Sequence, residues 1–197
     1  MASSETQICN LALGKISGYR IESISDADDE SARKCSEFYG QARDFVTEAG
    51  LWRHAKRTLL LEETTSDRAN YYDYAYTRPS DCLKLWYLLP YTGAFDPAWP
   101  VRFETEADVI YSDEAQARGV YVRQITDVTK FAPSFTDAVA WYLAHLLVTP
   151  LRLENALIGT TLSGYAQSFS HAVSMGAVEQ VLIRSAEESM PDWQRGR

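Results

Sequence analysis

The chain has little of what catalysis usually requires. Three cysteines and three histidines occur among 197 residues. Cys9, Cys35 and Cys82 are widely spaced and form no C-x-x-C pair, so neither a zinc site nor a dithiol redox motif is indicated. They read as small buried apolar residues of a reducing compartment. His54, His145 and His171 form no H-E-x-x-H or H-x-H. His145 falls on an apolar helix face and reads as a core histidine with a satisfied ring. No Walker loop and no G-x-G-x-x-G occurs. The segment Gly159 to Gly164 has one residue too many for a G-x-S-x-G elbow. The longest apolar run, Ala138 to Val148, contains His145 and falls short of the roughly 20 residues of a membrane span. Nothing in Met1 to Glu5 looks like a leader, because no basic residue precedes an apolar run. A basic excess is missing too. Lys and Arg total 19 against 27 Asp and Glu, a formal charge of -8. That sign argues against a dedicated nucleic-acid binder, which must neutralise phosphates. A soluble protein is the expectation.

What is present suits a globular domain. Hydrophobic residues make up 46% and charged residues 23%, too apolar for a disordered chain. At this length folding buries roughly 70% of the unfolded surface, which allows a real core. The length predicts one domain.

Ser4-Glu5-Thr6-Gln7 matches the S-x-x-Q capping box, and Ile8, Leu11, Ala12 and Ile16 follow at helical spacing. Gly14 and Gly18 limit this helix to a few turns. Asp26, Asp28 and Asp29 precede a second helix with Ala32, Cys35, Phe38, Tyr39, Ala42, Phe45, Val46 and Ala49 on one apolar face, ended by Gly50. The middle third changes character. Lys56 to Glu62, Leu83 to Leu89, Val101 to Thr105, Val109 to Tyr111 and Val120 to Arg123 read as strands, with a turn at Arg78 to Asp81 and a loop from Pro90 to Pro100. One small antiparallel sheet is the simplest arrangement. From Ser134 the pattern is helical again, apolar nearly all round, up to Pro150. A long last helix is predicted from about Leu153 to Ser189, its apolar stripe including Leu162, Tyr165, Phe169, Ala172, Val173, Val181 and Leu182. Its Gly159, Gly164 and Gly176 either weaken it or permit close helix contact.

The fold class predicted is α+β, mainly α: a helical bundle with a long C-terminal helix and a small antiparallel β insertion between helices 2 and 3. Residues 1–190 form the domain, helical over 1–53 and 131–190 and β-rich over 54–130. Residues 191–197 form a tail.

Three features invite a functional reading. The acidic run Asp26 to Glu30 suggests calcium, but an EF-hand needs Gly at position six and Glu at twelve. Counted from Asp26 those are Ser31 and Glu37, so helix capping is the better reading. The aromatic cluster Tyr71, Tyr72, Tyr74 and Tyr76, with Trp86, Tyr87, Tyr91 and Trp99 beyond, fits either a contact surface for sugar or protein or a small sheet with alternate aromatics packed on helices. The tail holds Trp193 just after the helix-stopping Pro191. Pro191, Asp192, Trp193, Gln194, Arg195 and Arg197 are therefore the candidate partner-binding residues, since Trp and Arg are common interface anchors.

The residues also resemble a family. Ile8-Cys9-Asn10-Leu11-Ala12-Leu13-Gly14-Lys15-Ile16 is similar to the start of the tail tubular protein A, or head–tail adaptor, family of short-tailed bacteriophages. Matches continue in order. Asp28 to Ala32 opens a helix through Cys35, Tyr39 and Ala42-Arg43-Asp44, followed by Trp52 and Ala55-Lys56-Arg57. Next come Tyr74-Ala75-Tyr76, Pro79-Ser80-Asp81-Cys82-Leu83, Ile110-Tyr111-Ser112-Asp113, Val120-Tyr121 and Ile125-Thr126-Asp127. Phe131 to Leu147 resembles the family's alanine-rich helix. The likeness spans about residues 4 to 190. The last helix departs from it, with glycine, serine and threonine where Ala, Glu and Gln are usual.

The resemblance implies a virion structural protein with no catalytic residue, cofactor or metal. Copies would form a ring, usually dodecameric, between the portal protein and the tail nozzle. DNA would pass through the lumen without specific binding, which suits an acidic wall. The chain would be made in the host cytoplasm and reside in the virion tail. The competing expectation is a carbohydrate-active tail hydrolase that uses the aromatic insertion and paired acids.

Overall fold

The computed structural model describes residues 4–68, 70–92 and 100–188, with residues 177–188 as helix backbone alone. The fold is mixed α/β. In chain order it has α1 (Glu5–Ile16), α2 (Glu30–Ala49), seven strands, a short 3-10 turn, α3 (Pro133–Val148) and α4 (Ala156–Glu188). The strands are β1 (Lys56–Leu60), β2 (Glu63–Thr64), β3 (Tyr74–Thr77), β4 (Cys82–Leu89), β5 (Phe103–Glu106), β6 (Val109–Ser112) and β7 (Arg118–Arg123). All seven lie between α2 and α3 in the sequence. The chain divides into two compact units, one of Met1–Val46 with Asp127–Arg197, the other of Thr47–Thr126.

Helix starts follow the local chemistry. Ser4 caps α1, its hydroxyl accepting from the Gln7 N–H at 3.1 Å. Asp29 caps α2, its carboxylate accepting from the Ser31 and Ala32 N–H groups at 2.7 and 3.2 Å. The acidic cluster is thus occupied with the positive end of a helix. Among the described residues no group of three His, Cys, Asp or Glu could hold a metal ion.

In the helical unit α3 lies against both α1 and α4. It buries Phe135, Ala138, Val139, Ala140, Leu143, Ala144 and Leu147, which accounts for its nearly continuous apolar character. α4 begins at Ala156, later than the predicted Leu153. The chain first makes a turn in which the Leu153 N–H bonds the Val148 carbonyl and Arg152 adopts φ 56°.

The strands form two sheets where one was expected. Their orders are β1-β7-β4 and β2-β3-β6-β5, all antiparallel. The reason is a change of partner inside one run. Leu61 N–H still bonds Ala117 beside β7, but the next carbonyl, of Glu62, already accepts from Thr77 at the end of β3. Leu61, Tyr76, Leu88, Ile110 and Ala117, drawn from both sheets and their connections, form one buried cluster.

Candidate interaction surfaces

In the helical unit, α1, α3 and α4 converge on Asp137. Its carboxylate accepts from Lys15 Nζ at 2.8 Å and from Ser168 Oγ at 2.6 Å. Burial pushes this carboxyl up, but hydrogen bonds from Lys15, Ser168 and Trp141 outweigh it and hold the group below its ordinary value. The Lys15 ammonium also sits 4.1 Å from the centre of the Trp141 ring. That ring lies flat against Gly164, where a Cβ would come within 2.5 Å of it. Around these residues runs a groove of about 670 Å³, lined also by Pro133, Gln167, His171 and Met175.

A ladder of rings continues along the same unit. Phe45 stacks on Tyr142 with centroids 4.1 Å apart and planes 6° from parallel. Tyr142 meets Tyr165 at 5.1 Å, and Tyr165 meets Phe169 at 5.7 Å. His145 is half-buried with Nδ1 3.4 Å from the buried Thr161 hydroxyl, in line with a core histidine.

The helix α4 buries little of itself. Among its side chains described, Thr161 and Ala172 alone are buried, and Leu157, Ile158, Tyr165, Ser168 and Phe169 complete one half-buried stripe. Leu162, Val173 and Met175 stand 44–50% exposed.

In the β unit the aromatic cluster divides. Tyr72, Tyr76 and Tyr111 are buried, whereas Tyr71 and Tyr91 are 75% and 54% exposed. Tyr76 packs in one buried cluster of the β unit and Tyr72 with Tyr111 in another, both built from this unit's own residues where packing on helices was expected. The surface reading remains for Tyr71 and Tyr91. A hollow of about 390 Å³ opens beside Tyr71, lined by Arg68, Tyr72, Arg102 and Glu104. Glu104 accepts from Arg68 at 3.1 Å and from the Tyr72 hydroxyl at 3.2 Å. The Arg102 guanidinium lies 4.8 Å from the Tyr72 ring centre.

The cysteines are buried and free, as the sequence suggested. Cys9 and Cys35 in addition share a thiol–thiol hydrogen bond that joins α1 to α2 and raises the Cys9 thiol. The predicted partner-binding residues Pro191, Asp192, Trp193, Gln194, Arg195 and Arg197 lie outside the described residues, as does Trp99. Sequence reasoning missed the convergence on Asp137. Lys15 and Asp137 are 122 positions apart, and no local pattern announces such a pair.

The groove at Asp137 has one carboxylate in its lining, engaged by Lys15 and Ser168, whereas beside the Tyr71 hollow Glu104 and Glu106 both contact Arg68. Glycoside cleavage uses two carboxylates, roughly 5 to 9.5 Å apart. No known family model matches the chain. No curated protein is similar to it either.

Proposed function

We propose that this chain is a virion structural protein, a head–tail adaptor of a short-tailed bacteriophage. In this reading the helices act as a bundle, with the long last helix and the β unit presented to neighbours. Copies assemble as a ring between the portal and the tail nozzle and extend the DNA channel. Chemistry is not its task. Its task is to offer several faces to several partners at once.

The observation that carries the reading is α4. A helix of 33 residues is about 50 Å long, yet it rests on its own unit along one stripe and leaves Leu162, Val173 and Met175 uncovered. Apolar residues held outward on a long helix suit lateral packing in an assembly. The engagement of Asp137 by Lys15 and Ser168, and of Glu104 and Glu106 by Arg68, weighs against the hydrolase alternative. The acidic balance of -8 suits a wall past which phosphates slide. The order of motifs from Ile8 to Leu147 supports this choice of family.

The test is the light-scattering mass of the protein alone and after mixing with its portal ring. A defined multi-copy increment on the portal is expected. No association under conditions where both are soluble would overturn the adaptor reading. Removal of residues 190–197 should abolish that increment while the far-ultraviolet spectrum of the domain persists. Undiminished binding by the truncated chain would remove the tail from the docking role.

A further inference from the structure

The two sheets have four edges. β2 is two residues long and offers almost no ladder. β4 pairs irregularly with β7, with register shifts between Cys82 and Lys84 and between Leu85 and Tyr87, which bends the strand and spoils it as a template. Among the described residues β1 and β5 remain, each paired regularly on one side only. All five residues of β1 are exposed, with Leu60 at 47%, and three of the four in β5 are exposed. An edge of this kind pairs readily with another chain.

The ladder fixes which backbone groups are open. Arg123 N–H bonds the Ala55 carbonyl and Leu61 N–H bonds the Ala117 carbonyl, so odd-numbered residues of β1 face β7. The N–H and C=O of Thr58 and Leu60 therefore point away. In the other sheet Thr77 N–H bonds Glu62 and Arg78 N–H bonds Asp108. Following the register across β3 and β6 turns Glu104 and Glu106 toward β6 and leaves Phe103 and Thr105 pointing out.

Charge selects the pairing. β1 carries Lys56 and Arg57, and β5 carries Glu104 and Glu106. Two β1 strands side by side would gather four cations, and two β5 strands four carboxylates. One of each balances. In the antiparallel register that matches Thr58 with Thr105 and Leu60 with Phe103, Arg57 falls directly opposite Glu106. Opposite charges placed this way stabilise a pair, and like charges oppose it. Within one copy Arg57 contacts Asp81 and Glu106 contacts Arg68. Both contacts are solvent-exposed ion pairs of the weak class and can exchange for the new one.

We propose that copies of this chain join head to tail through these edges, β1 of one copy adding antiparallel to β5 of the next. The proposal rests on the adaptor reading, which requires many copies side by side, and it names their contact. Because the two patches differ, the interface is heterologous. Repetition then gives a ring or a filament rather than a closed dimer.

Directly opposite residues in a widely spaced antiparallel pair have Cα atoms about 4.5 Å apart, within disulfide reach. The full chain with both Arg57→Cys and Glu106→Cys should therefore give a ladder of disulfide-linked dimers, trimers and larger species in oxidised glutathione. Each new bond consumes one glutathione disulfide and releases two glutathione thiols. Each single variant should stay monomeric. Dimers from Arg57→Cys alone would mean that β1 pairs with β1, and would overturn the proposal. So would the lack of a ladder from a double variant whose circular dichroism matches the parent.

If the cysteine variants fail to fold, charge reversal takes their place. Arg57→Glu and Glu106→Arg should each abolish multi-copy loading on the portal ring, and an equal mixture of the two should restore it. Full loading by both single variants would sink the edge pairing while leaving the adaptor reading intact. Failure of the parent protein to load would sink the adaptor reading, and the cross-linking ladder would still decide the contact.

Discussion

His54 lies beside the Trp52 ring, with 6.3 Å between centroids, and burial lowers its pKa from 6.5 to about 4. The unfolded chain takes up this proton near pH 6.5 and the native chain only near pH 4. The neutral ring therefore contributes stability fully above pH 6.5, and that contribution is lost as pH falls through 6.5 toward 4. After allowance for its partial exposure, the loss is on the order of 2 kcal/mol. The urea midpoint should drop between pH 7 and pH 4.5 in the parent protein, and His54→Gln should flatten that segment of the profile. Identical slopes in the two proteins would mean that the ring is not held neutral. At this scale the sequence was partly readable. Ser4 and Asp29 announced themselves as caps because a cap is a local arrangement. His145 was placed correctly because its neighbours at helical spacing are apolar. Asp137 was invisible, because its partners Lys15 and Ser168 come from two other helices.

The seam between α3 and α4 separates residues that look alike in the sequence. Gly159, Gly164 and Gly176 all sit inside one helix, and all read as weak points or close contacts. A Cβ at Gly159 or Gly176 would meet nothing within 4 Å, whereas one at Gly164 would strike the Trp141 ring. The same substitution should then have opposite signs. Gly159→Ala should stabilise by about 0.5 to 1 kcal/mol through helix propensity. Gly164→Ala should destabilise by about 1 to 3 kcal/mol through overpacking. Thermal midpoints would show a rise for the first and a fall for the second. Two falls would mean that the seam is not what distinguishes them. Helices were the more legible elements, since their caps and apolar periodicity span one stretch of chain. β1, β4, β5, β6 and β7 match expected strands to within a few residues, but β2 and β3 lie in stretches read only as polar and tyrosine-rich, and the division into two sheets was not foreseen. That division turns on which carbonyl follows Leu61, a choice made by distant partners.

For the whole molecule, composition indicated a folded α/β chain with no membrane-spanning helix, and among the described residues no helix is long and apolar enough to cross a membrane. Function was less legible, because no single motif decides it and the resemblance to a family rests on the order of packing motifs alone. The β unit is one continuous segment, Thr47–Thr126, with its own buried cluster of Leu61, Tyr76, Leu88, Ile110 and Ala117. Expressed alone, residues 47–126 should show a strand-type circular dichroism spectrum and a cooperative urea transition. A non-cooperative, coil-like fragment would show that its order depends on the rest of the chain.

The bond between Lys15 and Asp137 also sets a timetable. Synthesis proceeds at roughly 5 to 20 residues per second, and domains tend to settle as they emerge. α1 and α2 leave the ribosome early, yet α3, which lies against α1, is still to be translated. The intervening β unit can close in the meantime and shorten the effective loop that the two ends must span. The nascent chain therefore passes through an interval in which two finished helices display apolar faces with no mate. Chaperone demand and premature clumping should both peak in that interval, before α3 clears the ribosome.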